Sequence, residues 1–174
     1  MTLQFKTVST GKAASDALVV TRRFAAPRAL VFSMFTEPQH VARWLGCAPE
    51  SEVSFRNDLR VGGEFISEGK MPDGTVNRVW GVYREIAEPG LLVFTWSWEA
   101  GNFKGADTLV TVALAEQDGG TELTLRHEAF TDGEARDLHG QGWGMCLDKI
   151  AALLAARYVA TLRCSLRASR PGTG

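Results

Sequence analysis

Three histidines are the side chains of this 174-residue chain best suited to acid–base or metal chemistry. His40 and His139 fall in predicted helices, and His127 falls on a predicted strand. None of them shows the HExxH spacing or the paired Cys/His pattern of a metal site, so the sequence predicts no metal. His127 shares a strand face with Leu123 and Leu125. It is therefore either a hydrogen-bonded histidine of the core or a polar anchor that orients a ligand in a cavity.

Covalent and cofactor chemistry have little support in the sequence. There is no GxSxG motif, and no serine or cysteine has a recognisable base beside it. The glycine pairs at 62–63 and 119–120 belong to hairpin turns, since no GxGxxG or P-loop string surrounds them. We predict no catalytic residues and no cofactor. If the protein is nevertheless an enzyme, His127 or the carboxylate of Glu68 would act as its acid or base.

Large aromatic side chains recur on strand faces that are predicted to point inward. In the segment LLVFTWSW, Phe94, Trp96 and Trp98 share one face with Leu92. Such residues either pack an ordinary core or line a cavity for an apolar ligand. We predict a ligand-binding cavity lined by Trp80, Phe94, Trp96, Trp98, Leu125, His127, Trp143 and Leu147.

The orientation of the strand that carries Trp80 has two readings. In the first, Trp80 faces inward together with Arg78 and Arg84. In the second, Val79, Gly81 and Tyr83 face inward and the two arginines lie in water. We favour the second because unpaired arginines are rarely buried, although it moves Trp80 towards an edge and conflicts with its place in the cavity.

The composition excludes several classes of protein. Apolar residues make up 45% of the chain and charged residues 22%, which is typical of a globular domain, and the net charge of −1 gives no reason to expect a nucleic acid partner. The three cysteines are scattered and form no disulfide framework. No segment has the length of a signal peptide core or of a membrane span. We expect a cytoplasmic protein without membrane insertion.

The elements that position these residues follow from hydrophobic periodicity. A strand is predicted over 17–24, and two short helices, each opened by a proline, over 27–45. A period of two then predicts strands at 51–57, 62–70, 75–87, 90–98, 106–116 and 120–128. The connections are short turns rich in Gly, Asn, Asp and Pro, so neighbouring strands must be antiparallel.

A long helix over 131–157 completes the prediction. Thr131 and Glu134 fit a capping box at its start. A buried stripe is predicted from the residues that recur at helical spacing, which are Trp143, Leu147, Ile150 and Leu154. The sheet needs a cover for its apolar face, and this helix is long enough to supply one. We predict an α+β domain over 17–158, with a loose arm over 1–16 and a frayed basic tail over 159–174.

Several segments together resemble a known family. They are FAAPRALVFSMFTEPQHVARWLG, the GG of VGGEF, the PDG turn, WGVYREIAEPGLLVFTW, GGTELTLRHEAF and the final GW…LDKIAALL. In their order and spacing they are similar to the C-terminal-domain type of the activator of the heat-shock-protein-90 ATPase, within the START-like (SRPBCC) superfamily. The resemblance implies a helix-grip fold, a curved antiparallel sheet of six to seven strands around the C-terminal helix, with a hydrophobic cavity.

Three functions are compatible with these observations. The first is binding of an apolar or amphipathic small molecule in the cavity, without chemistry. The second is a cyclase- or hydrolase-like reaction on such a ligand. The third is a protein-interaction role with a chaperone, as the resemblance implies. The sequence favours the first, and it leaves open whether the chain is a monomer or a homodimer.

Overall fold

The computed structural model describes residues 17–46, 52–99 and 107–168, and the predicted arm over 1–16 lies outside them. Within these ranges the chain forms seven strands and three helices. In chain order they are β1 (Leu18–Phe24), α1 (Arg28–Thr36), α2 (Pro38–Trp44), β2 (Glu52–Asn57), β3 (Glu64–Lys70), β4 (Val76–Ala87), β5 (Leu91–Trp98), β6 (Thr108–Gln117), β7 (Gly120–Glu128) and α3 (Gly133–Ala168).

The strands form one sheet in the order β1-β7-β6-β5-β4-β3-β2, and every neighbouring pair is antiparallel. Strands β2 to β7 follow one another as a meander, since their turns are too short for a parallel crossover. β1, the first strand of the chain, forms the other edge of the sheet. It pairs with β7 along its whole length, from Leu18 opposite His127 to Phe24 opposite Thr121. The predicted helix-grip fold is confirmed: a curved sheet with the long helix α3 and two short helices after β1.

The predicted apolar stripe of α3 is buried. Trp143, Leu147, Ile150 and Leu154 expose at most 5% of their surface, because their spacing of three to four residues keeps them on one side of the helix. Two details differ from the prediction. Asp132, rather than Thr131, caps the helix, since its carboxylate accepts the N–H groups of Glu134 and Ala135. The backbone also remains helical through Ala168, beyond the predicted end at 157.

Strand β4 shows which of its faces points inward. Val79, Gly81 and Tyr83 are buried, and the alternate residue Trp80 lies on the opposite face, half-buried. A Cβ on Gly81 would stand 1.9 Å from the carbonyl oxygen of Thr95 and 2.6 Å from the ring of Phe65. Only glycine therefore lets the ring lie against the strand at this point. The predicted cavity position of Trp80 is wrong, because period-two alternation sends it outward once its neighbours are buried.

The outer face of the same strand carries an ion-pair network. The guanidinium of Arg78 donates to Glu68 at 2.7 Å and to Glu99 at 2.6 Å, and the two carboxylates hold the pKa of Arg78 above its usual range. Glu68 is opposite Arg78 in the β3–β4 register. The hypothesis that Glu68 is a cavity carboxylate is therefore wrong, since its charge is already paired on the solvent side.

We expect the replacement Ile150→Ala to lower the free energy of unfolding by about 2–5 kcal/mol, the range for truncation of a fully buried aliphatic side chain. Ile150 has no exposed surface. Met145→Ala, on the same helix but 52% exposed, is the matched control and should cost less than about 0.5 kcal/mol. Urea unfolding of both variants measures the difference. Equal midpoints would mean that α3 does not bury the Ile150 side chain.

Candidate functional site

A small cavity lies between the short helices and the strands β2 to β5. Its volume is about 20 Å³, which is enough for one water molecule and too small for an organic ligand. The walls consist of aromatic and aliphatic side chains from six segments: Phe35, Val41, Trp44, Leu45, Phe55, Phe65, Tyr83, Phe94 and Trp96. A larger ligand can therefore enter only if one wall moves.

The short helix α2 forms one wall of the cavity. It spans seven residues, begins at Pro38 and turns Val41 and Trp44 towards the cavity. Two hydrogen bonds fasten its C-terminal end: the Trp44 indole donates to the carbonyl of Met34 at 2.7 Å, and the Lys149 ammonium of α3 donates to the carbonyl of Gly46 at 2.5 Å. Displacement of α2 would enlarge the cavity without breaking any pairing within the sheet.

The opposite wall is an aromatic cluster centred on Phe65. Its ring centroid lies 5.8 Å from that of Phe55, 5.6 Å from Tyr83, 5.5 Å from Phe94 and 6.2 Å from Trp96. The residues come from four neighbouring strands, and each stands on the inward face because strand side chains alternate. Tilted and edge-to-face contacts of this kind are favourable for aromatic rings and hold the wall in one arrangement.

Polar atoms on the cavity wall are few, and all belong to aromatic side chains. The Tyr83 hydroxyl accepts a hydrogen bond of 3.0 Å from the Asn57 amide, which also donates to the carbonyl of Thr36. Burial raises the pKa of Tyr83, so the phenol keeps its proton. The indole N–H of Trp96 is completely buried and has no hydrogen-bond partner among the described residues.

His127 lies beyond this cavity, with both ring nitrogens occupied. The Trp143 indole donates to its Nδ1 at 3.0 Å, so Nδ1 carries no proton and Nε2 carries one. Nε2 then donates to the Thr108 hydroxyl at 2.7 Å, and that hydroxyl donates to the carbonyl of Trp96 at 2.8 Å. Burial, together with a smaller effect of the nearby His139, lowers the pKa of His127 to about 3. The imidazole is neutral and saturated.

A second histidine packs against the first one. The ring of His139 is 5.0 Å from that of His127, edge to face, and Phe130 contacts both rings at 5.2 and 4.4 Å. The Nδ1 of His139 donates to the carbonyl of Ala135 at 2.7 Å, and its Nε2 accepts the Trp98 indole N–H at 3.1 Å. Burial lowers its pKa as well. Each histidine thus accepts one tryptophan N–H.

The predicted lining residues separate into five groups. Phe94 and Trp96 line the cavity. Trp143 contacts two of its walls, with ring distances of 5.2 Å to Trp96 and 6.3 Å to Trp44. Trp98 and His127 belong to the histidine pair, Leu125 and Leu147 are fully buried in the core, and Trp80 is on the outer face. Of the predicted lining residues, the structure therefore brings together Phe94, Trp96 and Trp143.

Seven lining residues were not among those predicted: Phe35, Val41, Trp44, Leu45, Phe55, Phe65 and Tyr83. The sequence does carry a signal for them. Phe55 stands between Ser54 and Arg56 on one strand and Phe65 follows Glu64 on the next, and Val41, Trp44 and Leu45 form a short helical stripe. What the pattern lacks is the pairing of the sheet, which places β2 and β3 beside α2 rather than beside α3.

The described residues contain neither a metal-binding cluster nor a helix suited to span a membrane. In the ranges 17–46, 52–99 and 107–168, no three His, Cys, Asp or Glu side chains are grouped so that they could hold a metal ion. In the same ranges, no helix combines the length and the apolar character needed to span a bilayer.

The fold and the aromatic cavity define a helix-grip domain of the START-like class. The sequence profile of the family described as "Activator of Hsp90 ATPase homolog 1-like protein" matches residues 25–155, and the chain belongs to this family. No curated protein matches the chain.

Solved structures with the same fold come from several bacteria. A protein from Nitrosomonas europaea is 25% identical, with a TM-score of 0.70, and the alignment covers 85% of this chain and 99% of that one. The AHSA1 protein from Silicibacter pomeroyi is 27% identical, with a TM-score of 0.68 and coverages of 81% and 99%. A protein from Arthrobacter aurescens, at 24% identity and a TM-score of 0.71 with coverages of 86% and 92%, shares the fold.

The lowered pKa of His127 predicts a specific dependence of stability on pH. The unfolded chain takes up a proton on this side chain below the ordinary pKa of 6.5, whereas the folded protein does so only near pH 3. The stabilisation is therefore complete above pH 6.5 and is lost as the pH falls towards 3. At pH 4 the loss should reach roughly 3 kcal/mol, since each pH unit in this window costs about 1.4 kcal/mol.

The variant His127→Gln tests this prediction, because glutamine can keep both hydrogen bonds and does not titrate. Free energies of unfolding are measured for both proteins between pH 7 and pH 4. The other titrating groups are shared, so the difference between the two curves isolates His127. We expect the free energy of unfolding of the unmodified protein to fall steadily relative to that of His127→Gln as the pH decreases. Parallel curves would contradict a neutral, buried imidazole.

Proposed function

We propose that this protein binds a small apolar molecule in the cavity between α2 and the sheet. The observation that carries the proposal is the composition of the walls: nine aromatic or aliphatic side chains converge on one opening, and none of them is charged at neutral pH. Ligand sites are commonly apolar clefts with a few polar groups that fix the orientation of the ligand. The family also belongs to a fold class that commonly binds hydrophobic ligands.

The small volume of the cavity is compatible with binding if α2 moves. A ligand in the space vacated by the helix would bury its apolar surface against the Phe65 cluster, at about 25 cal/mol per Å². That gain must offset the two hydrogen bonds at the end of α2, each worth about 1 kcal/mol, and the packing that Val41 and Trp44 lose when the helix moves.

The contacts of the candidate acid–base residues do not favour the enzyme hypothesis. A general acid or base needs a pKa near the working pH and a free position towards the substrate. His127 has a pKa of about 3, and both of its nitrogens are engaged. Glu68 is paired with Arg78 on the outer face. A chaperone as partner remains a prediction from the family resemblance.

The test uses N-phenyl-1-naphthylamine, a neutral fluorophore whose emission rises in apolar surroundings. We expect it to bind the native chain and to quench tryptophan emission, because Trp44 and Trp96 line the cavity. The variant Leu45→Phe narrows the opening at the end of α2 and should weaken binding about tenfold or more. Titrations monitored by fluorescence give both dissociation constants.

The matched control is Leu59→Phe, which adds the same ring at a position that is 43% exposed and outside the cavity. This variant should bind the fluorophore like the unmodified chain, and thermal unfolding verifies that both variants are folded. Equal affinity of the two variants would place the fluorophore elsewhere on the protein. Absence of binding to the unmodified chain would overturn the proposed function.

A further inference from the structure

The indole of Trp96 differs from the other three interior tryptophans in its hydrogen bonding. The N–H groups of Trp44, Trp98 and Trp143 donate to the Met34 carbonyl, to His139 and to His127, at 2.7, 3.1 and 3.0 Å. Trp96 exposes only 6% of its surface, and its N–H has no acceptor among the described residues. A buried donor without an acceptor is unfavourable and is rare in native proteins.

The residues around Trp96 indicate what kind of group could accept a hydrogen bond from its N–H. Trp96 lines the apolar cavity together with Tyr83, whose phenol keeps its proton because burial raises its pKa. The hydroxyl of Tyr83 accepts from Asn57 and has no acceptor for its own proton among the described residues. Two donors therefore belong to side chains that line the cavity, and the Trp96 Nε1 is itself covered until a wall moves. The lining side chains of the described residues carry no unoccupied acceptor and no cationic group.

This arrangement selects for a ligand of defined polarity. An acceptor on the ligand would satisfy the Trp96 N–H, whereas a hydrocarbon would leave it buried without a partner. A carboxylate would have to lose its hydration without any positive charge on the wall, which is strongly unfavourable. A neutral oxygen atom on an apolar body meets both requirements.

We propose that the ligand is a neutral apolar molecule that carries a carbonyl or ether oxygen, and that Trp96 Nε1–H donates a hydrogen bond to this oxygen. The inference rests on the proposed function and adds the chemical class of the ligand. Trp96 is then the residue that determines specificity, while the Phe65 cluster contacts the apolar body.

The experiment compares three probes of nearly equal shape: acetophenone, α-methylstyrene, in which a CH₂ group replaces the oxygen, and benzoate. Dissociation constants are measured by NMR titration of the full chain and of Trp96→Phe. Since the two neutral probes differ in water solubility, the decisive quantity is the ratio of their dissociation constants. We expect Trp96→Phe to shift this ratio about five- to tenfold against acetophenone, the effect of one hydrogen bond. Benzoate should bind more weakly than acetophenone.

The matched control is Trp98→Phe, which removes an indole of the same size outside the cavity. Its N–H already donates to His139, so the ratio should stay within a factor of two of the original. A direct readout needs no variant in place of Trp96: acetophenone should move the indole proton resonance of Trp96 downfield, and α-methylstyrene should not. This readout decides the question if Trp96→Phe does not fold.

The outcomes separate the two proposals. If neither neutral probe binds the unmodified chain, the proposed function fails. If both bind and the ratio is unchanged in Trp96→Phe, binding stands and the role of the Trp96 N–H is overturned. The same conclusion follows if Trp98→Phe shifts the ratio equally, if benzoate binds as well as acetophenone, or if α-methylstyrene moves the Trp96 resonance as acetophenone does.

Discussion

The hydrogen bond from Trp143 to His127 joins α3 to β7, the strand next to the β1 edge of the sheet, and the arrangement of the interior depends on it. It fixes the protonation of the imidazole, which in turn directs the proton of Nε2 to Thr108 and leaves that hydroxyl to bind the carbonyl of Trp96. Helix, β7, β6 and β5 are thereby connected by one chain of buried polar groups. In surroundings of low polarity, such a network favours a single arrangement, because each alternative leaves a member unsatisfied.

The interior consequently has two ends with different properties. At the end near His127 and His139, each indole N–H donates to an imidazole nitrogen, and both imidazoles have both of their nitrogens engaged. At the end near α2, the aromatic walls leave one small space, and the Trp96 N–H has no partner among the described residues. Trp96 belongs to both ends, since its carbonyl completes the polar chain and its ring lines the cavity. The backbone of Trp96 is held in place by the polar chain at the histidine end, and its indole N–H is available to a ligand at the α2 end.

The fold was predictable to a greater degree than the site. Period-two segments, short turns and the stripe from Trp143 to Leu154 were sufficient for the sheet, its antiparallel pairing and the long helix, because each is a local property of the sequence. The face of β4 was the difficult case: Trp80 and Tyr83 are both aromatic, and the burial of Gly81 against the Phe65 ring decides between them. The cavity required knowledge of which strands border α2. That is a long-range property, and it moved the lining residues from α3 towards β2 and β3.

The two fastenings of α2 also imply an order in which parts of the molecule open. The helix has seven residues and is held at its end by Trp44 on Met34 and by Lys149 on Gly46, whereas β7 is hydrogen-bonded on both sides along its length. Opening of α2 leaves the hydrogen bonds of the sheet intact, so its free energy lies below that of global unfolding. Amide protons in α2 will then exchange with solvent while those of β7 stay protected. The same difference would allow a ligand to enter and leave a domain whose sheet remains intact.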